Sequence, residues 1–187
     1  MIDHHRKLLF VHIARTGGTS IETALLGEDW WKIEPDTKHL SARQARRHYG
    51  EEIWRSYTTF AVVRNPWDRF VSMWSIGYWY GQETHLQGVK PASFEEFLRT
   101  LRPHPAEKYN TLHQHQILDE ELNFVLRFEN LQNEFSAMLQ QIDQAEIPLP
   151  VALKSDRRPY RDYYSPESAR QIALTYATDI GRFRYSF

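Results

Sequence analysis

Arginine, glycine and hydroxyl residues crowd one short stretch of this chain, Ala14-Arg15-Thr16-Gly17-Gly18-Thr19-Ser20. Adjacent glycines let a backbone approach an anion closely, the hydroxyls of Thr16, Thr19 and Ser20 can donate, and Arg15 adds positive charge. A phosphate or sulfate group suits such a turn. A plain tight turn ahead of a helix has the same composition, and the glycine pair alone does not separate the two. The stretch lacks the Gly-x-x-x-x-Gly-Lys-Ser/Thr pattern that serves a triphosphate and its magnesium, which disfavours a nucleoside triphosphatase.

A second stretch, Val63-Arg64-Asn65-Pro66-Trp67-Asp68-Arg69-Phe70-Val71-Ser72, ends an apolar run with Arg64 and places Ser72 two helical turns further on. Both side chains can then address one anion beside the first turn. Taken alone, Arg64 reads more readily as a surface ion-pair residue and Ser72 as an ordinary helix position.

Two strand-to-helix junctions are needed to hold these residues. Leu8 to Ala14, rich in branched and aromatic residues, predicts a buried strand, and Ile21, Ala24 and Leu25 recur at helical spacing before the stop at Gly27. Thr58 to Val63 predicts a second strand. Asn65-Pro66 is a ready helix start, and Trp67, Phe70, Val71 and Trp74 keep helical spacing in a helix running to about Tyr80. Between them, Trp30 to Glu34 reads as a short strand, Pro35-Asp36 as a turn, and Ser41 as the cap of a helix from Ala42 to Tyr49. Further on, Ser93 caps a short helix through Leu101, a strand from Asn123 to Phe128 feeds a helix from Leu131 to Gln141, and Ser165-Pro166 opens a last helix reaching about Thr178. Strand followed by helix occurs three times, which argues for the α/β class: a P-loop-like parallel sheet flanked by helices in a single domain, 1–187. In such sheets ligands sit at the carboxyl ends of the strands, where both stretches fall.

Composition removes several functions. With 187 residues the chain can bury a continuous apolar core without staples. Its net charge of −1 argues against a general nucleic-acid binder, so any anion site must be local. Arg outnumbers Lys by 17 to 6, in favour of the planar fork that suits phosphate, sulfate and carboxylate. The absence of Cys excludes disulfides, thiolate metal sites and Cys nucleophiles. The basic start His4-His5-Arg6-Lys7 and the apolar run after it lack a small-residue cleavage site, and no apolar run is long enough to span a membrane. The chain therefore reads as soluble, with a cytoplasmic location expected; oligomeric state leaves no mark on it.

The two stretches together, Phe10-Val-His-Ile-Ala-Arg-Thr-Gly-Gly-Thr-Ser20 and Phe60-Ala-Val-Val-Arg-Asn-Pro-Trp-Asp-Arg-Phe-Val-Ser72, resemble the cofactor signatures of the sulfotransferases, in particular the carbohydrate type related to heparan sulfate 2-O-sulfotransferases. Val125-Leu-Arg-Phe-Glu-Asn-Leu131 and the end, with Tyr164-Ser-Pro-Glu167, Asp179, Phe183 and Tyr185, resemble later blocks of that family; residues 81 to 120 do not. The resemblance implies 3′-phosphoadenosine 5′-phosphosulfate as sulfuryl donor and a hydroxyl-bearing acceptor such as a glycan. It makes Arg15, Thr16, Gly17, Gly18, Thr19 and Ser20 the phosphosulfate turn, and Arg64 with Ser72 the 3′-phosphate site. Ser155 and Arg157, in the basic loop before the last helix, would cover the cofactor. The family usually carries Lys at the position of Arg15; Arg keeps the charge but is bulkier and cannot donate a proton.

For a base, the resemblance points to His39, in the loop between the glycine turn and the second strand, where heparan sulfate-type enzymes place a catalytic His. His12 is nearer in sequence but lies in the first strand and reads as a satisfied core imidazole. The pairs His113-Gln114-His115 and His4-His5 invite a metal; without a carboxylate or third His at ligand spacing they read as solvated residues, and no metal is expected. Trp30-Trp31 and Tyr78-Trp79-Tyr80 could stack on a sugar or adenine, or simply pack. Two other functions remain open: a magnesium-dependent nucleotide phosphotransferase, and a nucleotide- or glycan-binding module without catalysis.

Overall fold

The computed structural model describes residues 1–77, 91–100, 113–150 and 156–187. The chain divides into two compact units, Met1–Val63 with Gln116–Leu153, and Arg64–His115 with Lys154–Phe187. Among the described residues no helix is long and apolar enough to cross a membrane.

The first unit is built on a four-stranded sheet in the order β1 (Ile2–Asp3), β2 (Leu8–Val11), β3 (Thr58–Val63), β4 (Phe124–Arg127). β1 runs antiparallel to β2; β2, β3 and β4 are mutually parallel, with Phe10 beside Phe60 and Phe60 beside Phe124. This is the α/β arrangement expected, with a short antiparallel edge strand in addition. Alternation along the strands sends Leu8, Phe10, Phe60, Val62 and Leu126 into one core with Ile21 and Leu25 of α1 (Gly18–Leu26) and Phe135, Met138 and Leu139 of α7 (Leu131–Gln141). Each large apolar side chain buried there contributes about 1.5–3 kcal/mol.

Helix boundaries follow their caps. Ser41 and Gln44 form a reciprocal capping box for α2 (Ala42–Tyr49), and α3 (Glu51–Ser56), which the sequence reading missed, follows at once. The expected strand at Trp30 to Glu34 is instead a 3₁₀ turn, Trp30–Lys32. Its cause is local: the Asp29 carboxylate accepts the Trp31 N–H at 2.9 Å, and the Trp30 indole N–H reaches the Thr37 hydroxyl at 2.8 Å, which winds the chain tightly. The turn expected at Pro35-Asp36 is a second 3₁₀ turn, Pro35–Thr37.

The second unit packs α4 (Pro66–Ser75) with α5 (Phe94–Thr100), α8 (Pro166–Thr175) and α9 (Ala177–Phe183) around Trp67, Phe70, Met73, Phe97, Ile172 and Tyr176. Asn65 caps α4 by accepting the Trp67 N–H at 3.0 Å, with Pro66 in the first helical position. The described helix stops at Ser75, ahead of the positive φ of Gly77, and 78–80 lie outside the described residues. The single last helix expected from Ser165 breaks at Tyr176, whose non-helical backbone accompanies a ring buried against Phe70 at 4.8 Å. A short helix, α6 (Gln114–Ile117), was not anticipated.

Candidate functional site

In the first unit the glycine turn carries an unusual backbone. Arg15 (φ 66°) and Gly17 (φ 89°) are both left-handed, with Thr16 between them. Such alternation gathers successive N–H groups into an anion-accepting concavity. For the non-glycine Arg15 it costs about 1 kcal/mol, a strain of the kind held at ligand sites. α1 then begins at Gly18 with no side chain capping it, so the positive end of the helix opens onto the turn.

The two glycines are needed for different reasons: the φ of 89° at Gly17 would strain any other residue, and Gly18 lies against the His12 ring. A Cβ on Gly17 would lie 2.8 Å from Leu131 Cδ2, and a Cβ on Gly18 would lie 2.1 Å from His12 Nε2. Thr16 is fully buried and its hydroxyl donates to the Ile13 carbonyl at 2.8 Å. The Thr16 hydroxyl expected to donate to an anion is directed inside the turn in this structure. Ser20 is buried, with its N–H bonded to Gly17 O at 3.0 Å, and Thr19 is half-buried.

Beneath the turn lies a charged cluster. His12, 4% exposed, places Nδ1 2.6 Å from Glu22 Oε1, and Glu22, with no exposed surface, also accepts from Lys38 Nζ at 2.6 Å and from the Trp30 N–H at 3.2 Å. Lys38 is equally buried and bonds Asp29 as well. Burial alone would raise the Glu22 carboxyl, but the hydrogen bonds and charges of His12 and Lys38 outweigh it and hold its pKa at about 2. An ionised Glu22 carboxylate only accepts, so His12 Nδ1 carries the proton between them, and burial lowers the pKa of that imidazole. The expected reading of His12 as a satisfied interior imidazole agrees with this arrangement.

His39 is half-buried, its ring centroid 4.6 Å from that of His12 and 5.6 Å from that of Trp31. Its Nδ1 lies 3.0 Å from the His12 carbonyl. A carbonyl only accepts, so Nδ1 carries the proton and Nε2 holds the lone pair. Burial, with the neighbouring His12, pushes the His39 pKa down to about 3, leaving a neutral imidazole with a fixed tautomer. One His12 ring thus has the glycine turn on one contact and the candidate base on another.

In the second unit, Arg64 is 6% exposed and grips Asp68 through Nε at 2.7 Å and Nη2 at 2.6 Å. Arg157 Nη2 reaches the other oxygen of the same carboxylate at 2.5 Å. Two of the expected anion ligands are therefore brought together around one acid, and the cluster keeps a net positive charge. The Arg64 backbone is fixed by Gln114, whose side-chain amide bonds both its N–H (2.9 Å) and its carbonyl (2.8 Å). Ser72 is buried on α4, one turn beyond Asp68. Ser155 lies outside the described residues.

Glu22, Lys38 and Asp68 were missed in the sequence. Glu22 had a signal: with Gly18 and Leu25 it falls at i, i+4 and i+7 on one helix face, an acid on a buried stripe. Asp68 had one too, four residues after Arg64. Lys38 had none, since its partners come from distant segments.

The sulfotransferase family model matches residues 1–186. Among solved structures, mouse sulfotransferase SULT7A1 complexed with PAP is similar at 13% identity with a TM-score of 0.55, over 96% of this chain and 86% of that one, a match that speaks for the fold. No curated protein matches.

Proposed function

Since the chain belongs to the sulfotransferase family, we propose that it transfers a sulfuryl group from 3′-phosphoadenosine 5′-phosphosulfate to a hydroxyl of a carbohydrate or other small acceptor. The observation that carries this reading is the convergence on the His12 ring of an uncapped, left-handed glycine turn and a neutral His39 whose Nδ1 is committed. The turn fits a phosphosulfate: Gly17 holds a left-handed φ, Gly18 lies against the His12 ring, and the N-terminus of α1 offers N–H groups and dipole rather than a capping oxygen.

When bound, the donor supplies an activated sulfur–oxygen bond to a phosphate leaving group. The chain's part is to hold and to neutralise. With the donor bound, His39 Nε2 would take the proton of the attacking hydroxyl, its basicity raised from about 3 by the donor's negative charge. Arg15 and the N–H groups of the turn meet the charge that grows on the departing phosphate oxygen, which keeps the electron pair of the broken bond. Glu22 and Lys38 fix His12, and the His12 carbonyl fixes the tautomer of His39. Arg64 and Ser72, with Arg157, take the role of 3′-phosphate ligands; the guanidinium pair held on Asp68 supports it with a buried, positively charged cluster.

Calorimetry tests the donor. Adenosine 3′,5′-bisphosphate should bind more tightly than ADP or ATP, with no gain from magnesium. Tighter magnesium-dependent binding of ATP would replace this reading with phosphoryl transfer.

A further inference from the structure

The His113-Gln114-His115 segment lacked a carboxylate in sequence, and the fold supplies one from 64 residues away. Asp179, 1% exposed, accepts the Gln114 N–H at 2.8 Å on Oδ2, and the His115 N–H at 2.8 Å on Oδ1. The same Oδ1 lies 2.6 Å from His115 Nδ1. One donor atom each from His113, His115 and Asp179 lies within 4.8 Å of the other two. A separate observation concerns His113: its Nδ1 is buried and has no hydrogen-bond partner among the described residues. A buried polar nitrogen without a partner is costly, and a bound cation would relieve it.

We propose that His113, His115 and Asp179 form a binding site for a divalent transition-metal ion of the zinc type. Two imidazoles and one carboxylate with a fourth position for water is a common zinc donor set, and it selects against magnesium and calcium, which prefer all-oxygen shells. Tetrahedral coordination needs donors about 3.3 Å apart, so the widest pair closes in by up to about 1.5 Å. The ion replaces the proton between His115 Nδ1 and Asp179: as the Nδ1–H bond breaks, the nitrogen pair goes to the metal and Nε2 takes up a proton, so the ring stays a neutral imidazole and no net proton is released. Backbone N–H groups already orient the carboxylate, as outer partners do in metal sites. The ion would fasten the start of α6 to α9, independently of the sulfuryl-transfer reading.

The test uses the full chain, stripped with chelator, titrated with CoCl2 by visible absorption and with ZnCl2 by calorimetry. One equivalent should bind, with the ligand-field bands of tetrahedral cobalt, and MgCl2 should give no heat. His113→Ala removes a nitrogen that makes no hydrogen bond, so it should keep the far-ultraviolet spectrum while weakening zinc about tenfold or more; His115→Ala should do likewise. Absence of the cobalt bands, or bands that persist at full strength in His113→Ala, as binding at His4 and His5 would give, overturns the proposal.

Discussion

Gly18 rests directly on the imidazole of His12: a Cβ there would stand 2.1 Å from Nε2 and 2.3 Å from Cδ2. The ring cannot retreat easily, since its Nδ1 is held by Glu22 at 2.6 Å. Gly18→Ala should therefore act as an overpacking change, destabilising the fold by about 1–3 kcal/mol in urea titration. An unchanged midpoint would show that the contact yields.

Lys38 and Glu22 form a fully buried ion pair beneath the turn. Lys38→Met leaves the carboxylate without its cation and should cost about 3–5 kcal/mol. The double variant Glu22→Gln, Lys38→Met removes the stranded charge and should be more stable than Lys38→Met alone. A double mutant less stable than the single would contradict this account of the cluster.

The His12 and His39 imidazoles titrate below their ordinary value of 6.5, His39 at about 3. Between those values the unfolded chain binds protons that the folded chain does not, so stability is full above pH 6.5 and falls as pH drops toward 3. Glu22, at about 2 against an ordinary 4.5, adds a second loss as pH falls below 4.5. Urea midpoints measured at pH 7, 5 and 4 should decline in that order, and His39→Gln should flatten the part between pH 6.5 and 4.5. A midpoint that rises on acidification would mean these groups are paired otherwise.

Arg64→Ala should remove most of the preference for adenosine 3′,5′-bisphosphate over 5′-AMP. A charged hydrogen bond is worth about 1.5–3 kcal/mol, so tenfold or more is expected by calorimetry. Equal losses for the two nucleotides would remove Arg64 from 3′-phosphate recognition.

Much of the strand framework and the glycine turn was legible because their signals are local: Leu8-Leu9-Phe10-Val11 and Thr58 to Val63 are short apolar runs, and Asn65-Pro66 and Ser41 carry their own capping chemistry. What escaped was set by individual side-chain contacts, some local and some distant. The 3₁₀ turn at Trp30–Lys32 depends on Asp29 and Thr37, which outweigh the strand preference of its tryptophans. The break at Tyr176 reflects a ring packed on Phe70, and the carboxylate beside His115 comes from Asp179, two relationships no periodicity encodes.

The central claim is that this chain moves a sulfuryl group with His39 as base. The direct measurement is transfer of radiolabelled sulfate from 3′-phosphoadenosine 5′-phosphosulfate to a panel of hydroxyl acceptors, by the wild type, Arg15→Lys and His39→Ala. The wild type should transfer label, Arg15→Lys should retain activity, and His39→Ala should lose about 100-fold or more in turnover while binding adenosine 3′,5′-bisphosphate within a few-fold of wild type. Label transfer by His39→Ala at the wild-type rate, with its fold intact, would contradict the account.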